Sequence, residues 1–139
     1  MTQIDPYLIF DGNCAEAMKF YAKTLGGKLD IQTFSQSPPE MPTSPGDADR
    51  VMHARLEMGD RALMASDSGG EMKYEKMQGF FVSLLFPDVA ESKRIFETLT
   101  RGGTIIMPLE KTFWAESFGM LVDRFGTPWM VSGGHEAKS

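Results

Sequence analysis

Few side chains in this sequence are of types that do chemistry, and their placement narrows what that chemistry can be. From Val51 to Met58 polar and apolar residues alternate, so His53, Arg55 and Glu57 share one face of a strand. Met52, Ala54, Leu56 and Met58 take the other face, which suits packing on a helix. Together with Asp5, His53 and Glu57 could form a three-ligand set for a divalent metal. The plainer reading, which the pattern favours, makes Arg55 and Glu57 cross-strand surface partners and His53 a hydrogen-bonding sheet residue. His135 lies in a Gly-Gly-His tail and reads as solvated. Cys14 opens a helix with no second acid–base group beside it, and reads as a small apolar residue rather than a nucleophile.

The elements that must position these residues are organised by an internal repeat. Phe10 to Gly27 and Phe86 to Gly103 carry the same signs in the same order. Ala15-Glu16 matches Ala90-Glu91, Tyr21 matches Phe96, and Gly26-Gly27 matches Gly102-Gly103. Each half then ends alike, Leu63-Met64-Ala65-Ser66 against Trp129-Met130-Val131-Ser132.

Each half reads as strand, helix, then three strands. In the first, Tyr7–Phe10 leads into Asp-Gly-Asn, where Asn13 can cap a helix. That helix carries Ala17, Met18, Tyr21, Ala22 and Leu25 at helical spacing and stops at Gly26 in a left-handed turn. A strand is predicted over 28–34, then a loop over 35–49 with four prolines and a glycine. A hairpin follows, Val51–Met58 and Ala62–Ser66 about Gly59-Asp60. In the second half the spacing predicts a strand over 80–86, a helix capped by Asp88 and running to Arg101, and a strand over 104–107. Strands over 118–122 and 128–131, joined by Asp123-Arg-Phe-Gly126, complete it. The fold class expected is α+β, with two tandem βαβββ modules forming a curved mixed sheet, a concave face and helices on the outer face. Module one covers about residues 1–70 and module two about 79–134 of a single domain, because one helix covers one face of a four-stranded sheet. Concave, partly apolar surfaces of this kind hold small ligands.

Composition excludes several classes of partner. Fourteen Lys+Arg against nineteen Asp+Glu give a formal charge of −5, with no basic excess for nucleic acid or anionic membrane. One cysteine allows no intramolecular disulfide framework and fits a reducing compartment. No apolar run reaches the length of a membrane span. The start, MTQIDPYLIF, lacks the pattern of a signal peptide, so a cytoplasmic location is expected.

The sequence resembles the vicinal-oxygen-chelate superfamily (the glyoxalase, bleomycin-resistance and dihydroxybiphenyl-dioxygenase group). More narrowly it is similar to the PhnB-like branch, often labelled 3-demethylubiquinone-9 3-methyltransferase. The residues carrying the resemblance are Pro6-Tyr7-Leu8, Phe10-Asp-Gly-Asn13, Glu16-Ala-Met-Lys-Phe-Tyr21, Met52-His-Ala54, Gly59-Asp60 and Leu63-Met-Ala-Ser-Asp67. Trp114 and Asp123-Arg-Phe-Gly-Thr-Pro-Trp129 extend it over nearly the whole chain.

The resemblance implies paired βαβββ modules and, commonly, a homodimer. It also implies four metal-ligand positions, which fall near Asp5 and at Met64, Phe81 and Met130. Thioethers and a phenyl ring are poor ligands for a hard divalent ion, so no metal and no other cofactor is expected. The alternative keeps a divalent metal on the displaced set Asp5, His53 and Glu57, for an isomerase, lyase or dioxygenase. A literal methyltransferase reading is disfavoured, because no Gly-rich loop opens a helix as a nucleotide-type cofactor would need. The same register sends Tyr7, Met64, Ser66, Phe81, Ser83, Met130 and Ser132 to the inner face, beside His53. This aromatic, thioether and hydroxyl lining suits a flat or greasy molecule, though such residues can equally be ordinary core filling. Eleven methionines suit a surface that adapts to varied shapes. Trp114, in Lys111-Thr-Phe-Trp-Ala-Glu, could lid the opening or pack in the core, while Trp129 is expected to face a helix. The expected partner is a small-molecule ligand, and whether a reaction is catalysed stays open.

Overall fold

Alternation of buried and exposed residues builds two similar units, Met1–Glu75 and Lys76–Ser139. The computed structural model describes residues 2–36, 48–69 and 72–134. The first unit runs β1 (Tyr7–Phe10), α1 (Cys14–Leu25), β2 (Lys28–Thr33), a 3-10 turn (Phe34–Gln36), β3 (Val51–Met58) and β4 (Arg61–Asp67). The second runs β5 (Val82–Phe86), α2 (Val89–Thr100), β6 (Thr104–Glu110), β7 (Ser117–Val122) and β8 (Pro128–Gly133). This is the βαβββ order expected for each half.

Each unit holds one mixed four-stranded sheet, ordered β1-β4-β3-β2 and β5-β8-β7-β6. The first strand pairs parallel with the last, Tyr7 opposite Met64 and Ser83 opposite Met130, and the remaining pairs are antiparallel. In the first unit α1 packs on β2, β3 and β4. Its Cys14, Ala17, Met18 and Tyr21 are buried together with Leu8, Phe10, Ala54, Leu56, Leu63 and Ala65 of the sheet. In the second, α2 packs across all four strands, and Ile95, Phe96 and Leu99 are buried with Leu121, Trp129 and Val131. Two glycines at matching positions of the repeat permit close backbone approach. A Cβ on Gly27 would strike the Glu57 carbonyl, and one on Gly103 the Val122 carbonyl.

Local differences from the sequence reading have physical causes. Asn13 occupies the N-cap position of α1, yet its side chain makes no capping bond. The buried carboxylate of Asp67, at the end of β4, takes the donors instead: Gly12 N at 2.7 Å, Cys14 N at 3.0 Å and, from β3, Val51 N at 2.9 Å. Asp88 caps α2 as expected, accepting from Ala90 N at 2.9 Å. Gly26 has φ +83 but ψ −173, so it leaves α1 in an extended glycine conformation rather than a left-handed turn. β6 continues past Met107 to Glu110 despite Pro108, because it is an edge strand and its register shifts around the proline. β5 starts at Val82, leaving Phe81 just outside the ladder. Most of the proline-rich loop, residues 37–47, and His135 lie outside the described residues. Among those described, no helix is long and apolar enough to cross a membrane.

The second unit also ends its hairpin on a buried carboxylate. Asp123 accepts from Phe125 N, Thr127 N and the Trp129 indole N–H at 2.8–3.0 Å. Replacing either carboxylate strands several buried donors, so Asp67→Ala is expected to lower unfolding free energy in urea by about 2–4 kcal/mol. A loss below about 0.5 kcal/mol would show that the turn holds without it.

Candidate functional site

A strand facing a helix on one side presents its alternate residues on the other. In the first unit that uncovered face carries Tyr7 from β1, His53, Arg55 and Glu57 from β3, and Met64 and Ser66 from β4. Lys28, Asp30 and Gln32 of β2 continue it, opposite Glu57, Arg55 and His53 respectively. The Tyr7 hydroxyl lies 3.2 Å from His53 Nδ1, and the two rings are tilted at 31° with centroids 5.7 Å apart. Arg55 donates from Nε to Glu57 Oε1 at 3.2 Å and from Nη1 towards the Met64 sulfur at 3.6 Å. A hollow of about 310 Å³ lies along β2 and β3, lined by Lys28, Leu29, Asp30, Arg55 and Glu57.

In the second unit Ser83, Met130 and Ser132 share the uncovered face, as expected, with Leu85, Met120 and Phe118. The helix side is fixed by Gly119 and Gly133, whose added Cβ atoms would meet Phe96 and Ser92 of α2. Trp114 follows β6 in the connection to β7 and is half-exposed. It rests edge-on against Phe118 at 5.3 Å and Phe113 at 4.6 Å, so it belongs to the uncovered face rather than the core. Phe81 is partly exposed at the entry to β5. Trp129 is fully buried on the helix side and donates to Asp123.

Among the described residues four buried hydroxyls lack a hydrogen-bond partner, Thr24, Ser66, Ser117 and Ser132, and two of them stand on the uncovered faces. Ser66 and Ser132 occupy matching positions of the repeat, lie on the uncovered faces, and are 7% and 6% exposed. Neither hydroxyl has a hydrogen-bond partner among the described residues. Buried polar groups are paired in the great majority of cases, so two unpaired ones at equivalent positions call for a partner from outside the chain.

The carboxylates and imidazole of the displaced metal set are not gathered. Asp5 accepts from Ala62 N at 3.2 Å, Glu57 holds Arg55, and His53 meets Tyr7. Among the described residues no group of three or more His, Cys, Asp or Glu side chains is placed to hold a metal ion. At the positions the superfamily resemblance assigns to ligands stand Met64, Phe81 and Met130, a donor set that does not fit a hard divalent cation.

The comparisons with known proteins agree with this architecture. Residues 2–132 match the family model described as 3-demethylubiquinone-9 3-methyltransferase. The chain belongs to that family. Protein YjdN of Escherichia coli K12 is 35% identical, over 93% of each chain. The crystal structure of protein PA1353 from Pseudomonas aeruginosa superposes with a TM-score of 0.89 at 47% identity, covering 98% of this chain and all of that one. The fold is shared with a putative 3-demethylubiquinone-9 3-methyltransferase, PhnB protein, from Bacillus cereus (TM-score 0.68, 24% identity, 95% and 99% coverage). It is shared too with a glyoxalase-related enzyme from Fulvimarina pelagi (TM-score 0.60, 11% identity, 96% and 88% coverage). The family is PhnB-like and the fold is that of the glyoxalase group.

Phe118 and Met120, which the sequence reading passed over, and further contacts of residues it named complete the picture. Arg55 turns from a surface partner into a guanidinium reaching across the face to Met64. Phe118 and Met120 join the uncovered face, a placement readable in the alternation of β7 once its helix side is known. Cys14 opens α1 on its buried side, where burial, with Asp67 nearby, pushes its thiol from 9.0 up to about 12. That keeps the thiol neutral and unreactive. A folded-state value above the unfolded one favours the folded state fully below pH 9 and is lost as pH rises towards 12. Wild type should therefore lose more stability between pH 9 and 12 than Cys14→Ala, in paired urea melts. Equal slopes would contradict the buried thiol.

Proposed function

We propose that this chain binds a small apolar or aromatic organic molecule on the uncovered sheet faces, without the divalent metal of the wider superfamily. The observation that carries the reading is the pair of buried, unpartnered hydroxyls of Ser66 and Ser132. A ligand lying on either face would supply the missing partner, and the surroundings would supply its apolar contacts. On the first face these are Tyr7 and Met64, with the polar His53 beside them; on the second, Phe81, Trp114 and Met130, with the hydroxyl of Ser83 beside them. Thioethers and aromatic rings accept flat organic molecules of varied outline.

The methyltransferase in the family's name is not part of the proposal. The β1–α1 turn offers no cradle for a nucleotide-type cofactor, because the Asp67 carboxylate already takes the N–H groups of Gly12 and Cys14. Asp88 likewise takes the donor at the start of α2. The proposed assembly is a homodimer, as the family resemblance implies, and the single cysteine suits a reducing compartment such as the cytoplasm.

The test titrates 2-naphthamide, a flat neutral probe, into the full chain by calorimetry. Wild type is expected to bind, and Ser66→Ala and Ser132→Ala to weaken binding by about 2- to 10-fold each, the worth of one neutral hydrogen bond. Because the hydroxyls have no internal partner, the melting temperatures of both variants should equal or exceed wild type. Absence of binding, or variants that bind as wild type but melt lower, would overturn the reading. In a separate measurement Ni, Zn and Mn should leave the melting temperature unchanged. A stoichiometric metal that is retained through purification and lost in His53→Ala would replace this proposal with the metal-dependent one.

A further inference from the structure

The uncovered face of the first unit holds more hydrogen-bond donors than its own residues use. Arg55 is bound through Nε by Glu57 at 3.2 Å, which fixes the plane of the guanidinium. Its outer edge is left to Met64, whose sulfur lies 3.6 Å from Nη1 and is a weak acceptor. Nη2 meets no acceptor among the described residues. With Nδ1 of His53 facing the Tyr7 hydroxyl, the other ring nitrogen has no partner among the described residues. Ser66 adds its buried hydroxyl on the neighbouring strand.

We propose that this face recognises the anionic end of the ligand, a compact oxyanion such as a carboxylate, with the Arg55 guanidinium edge as its anchor and Ser66 and His53 as further hydrogen-bond partners. The inference deepens the binding proposed above and rests on it. A planar guanidinium offers two parallel N–H bonds to a carboxylate, stronger than any contact a thioether can return. Glu57 is bonded to Arg55, Asp30 stands opposite Arg55 on edge strand β2 and Lys28 opposite Glu57, so these charges balance and the preference for an anion rests on the outer N–H edge of the guanidinium. At 39% side-chain exposure Arg55 is accessible, and the apolar residues beside it, Met64 and Tyr7, would take the body to which the anion is attached.

The test compares 2-naphthoate with its neutral counterpart 2-naphthamide, by calorimetry on the full chain and on Arg55→Gln and Arg55→Lys. Wild type is expected to bind the naphthoate at least tenfold tighter than the amide, with the preference shrinking as salt is raised. Arg55→Gln should abolish the preference, and Arg55→Lys should restore part of it. A wild-type chain that binds the amide and shows no preference would overturn the anion site and leave the proposed function standing. A preference that survives in folded Arg55→Gln would equally overturn Arg55 as the anchor. Binding of neither probe would overturn both readings. Should Arg55→Gln fail to fold, the wild-type preference and its salt dependence, with Arg55→Lys, decide the matter.

Discussion

Each four-stranded sheet here has two faces and one helix among the described residues to cover them. Burying α1 against β2, β3 and β4, and α2 against β5 to β8, uses Leu8, Phe10, Leu56 and Leu63 in one unit and Leu121, Trp129 and Val131 in the other. Alternation along the strands then sends every second residue to a face that no helix reaches. The side chains there include serine hydroxyls without partners, half-buried methionines and exposed aromatics. Thr24 and Ser117 leave a buried hydroxyl unpaired on the helix side as well, so what marks the uncovered faces is the repetition of Ser66 and Ser132 at matching positions beside half-buried methionines and exposed aromatics.

The repeat makes the two faces comparable, and their differences are informative. Both place Met and Ser two residues apart on the closing strand, Met64 and Ser66 against Met130 and Ser132, and both pair that strand in parallel with the first strand of the unit. Around this shared centre the first face is polar, with Arg55, His53, Glu57 and the charged residues of β2. The second is apolar, with Leu85, Met120, Phe118 and the Trp114–Phe113 pair. Buried carboxylates at the turns, Asp67 and Asp123, hold each unit's strand ends by backbone donors and leave the faces themselves free for this work.

Much of this was legible in the residues. The doubled Ala-Glu, aromatic and Gly-Gly signs led to the βαβββ order, and period-two alternation led to His53, Met64, Ser66, Met130 and Ser132 on the uncovered faces. What escaped depends on partners distant in sequence. Asn13 has the right chemistry for a cap, but the carboxylate that holds this turn is Asp67, more than fifty residues on, which accepts from Gly12 N and Cys14 N through the parallel β1–β4 pairing. Pro108 looks like a strand breaker, and only the position of β6 at the sheet edge lets the strand continue. Asp5, His53 and Glu57 are compatible ligands by type, yet each is claimed by a different neighbour. The direction of Arg55, towards Met64, follows from the cross-strand register and could not be read from β3 alone.

The most direct test of the uncovered faces as the ligand surface is a map of backbone and methionine-methyl NMR shifts on adding 2-naphthamide to the isotopically labelled chain. The account predicts perturbations concentrated at Met64, Ser66, Met120, Met130 and Ser132, with Met18 beneath α1 unmoved. Perturbations centred on the helix side, in the groove of about 440 Å³ that Val89, Phe96 and Leu109 line, would contradict it.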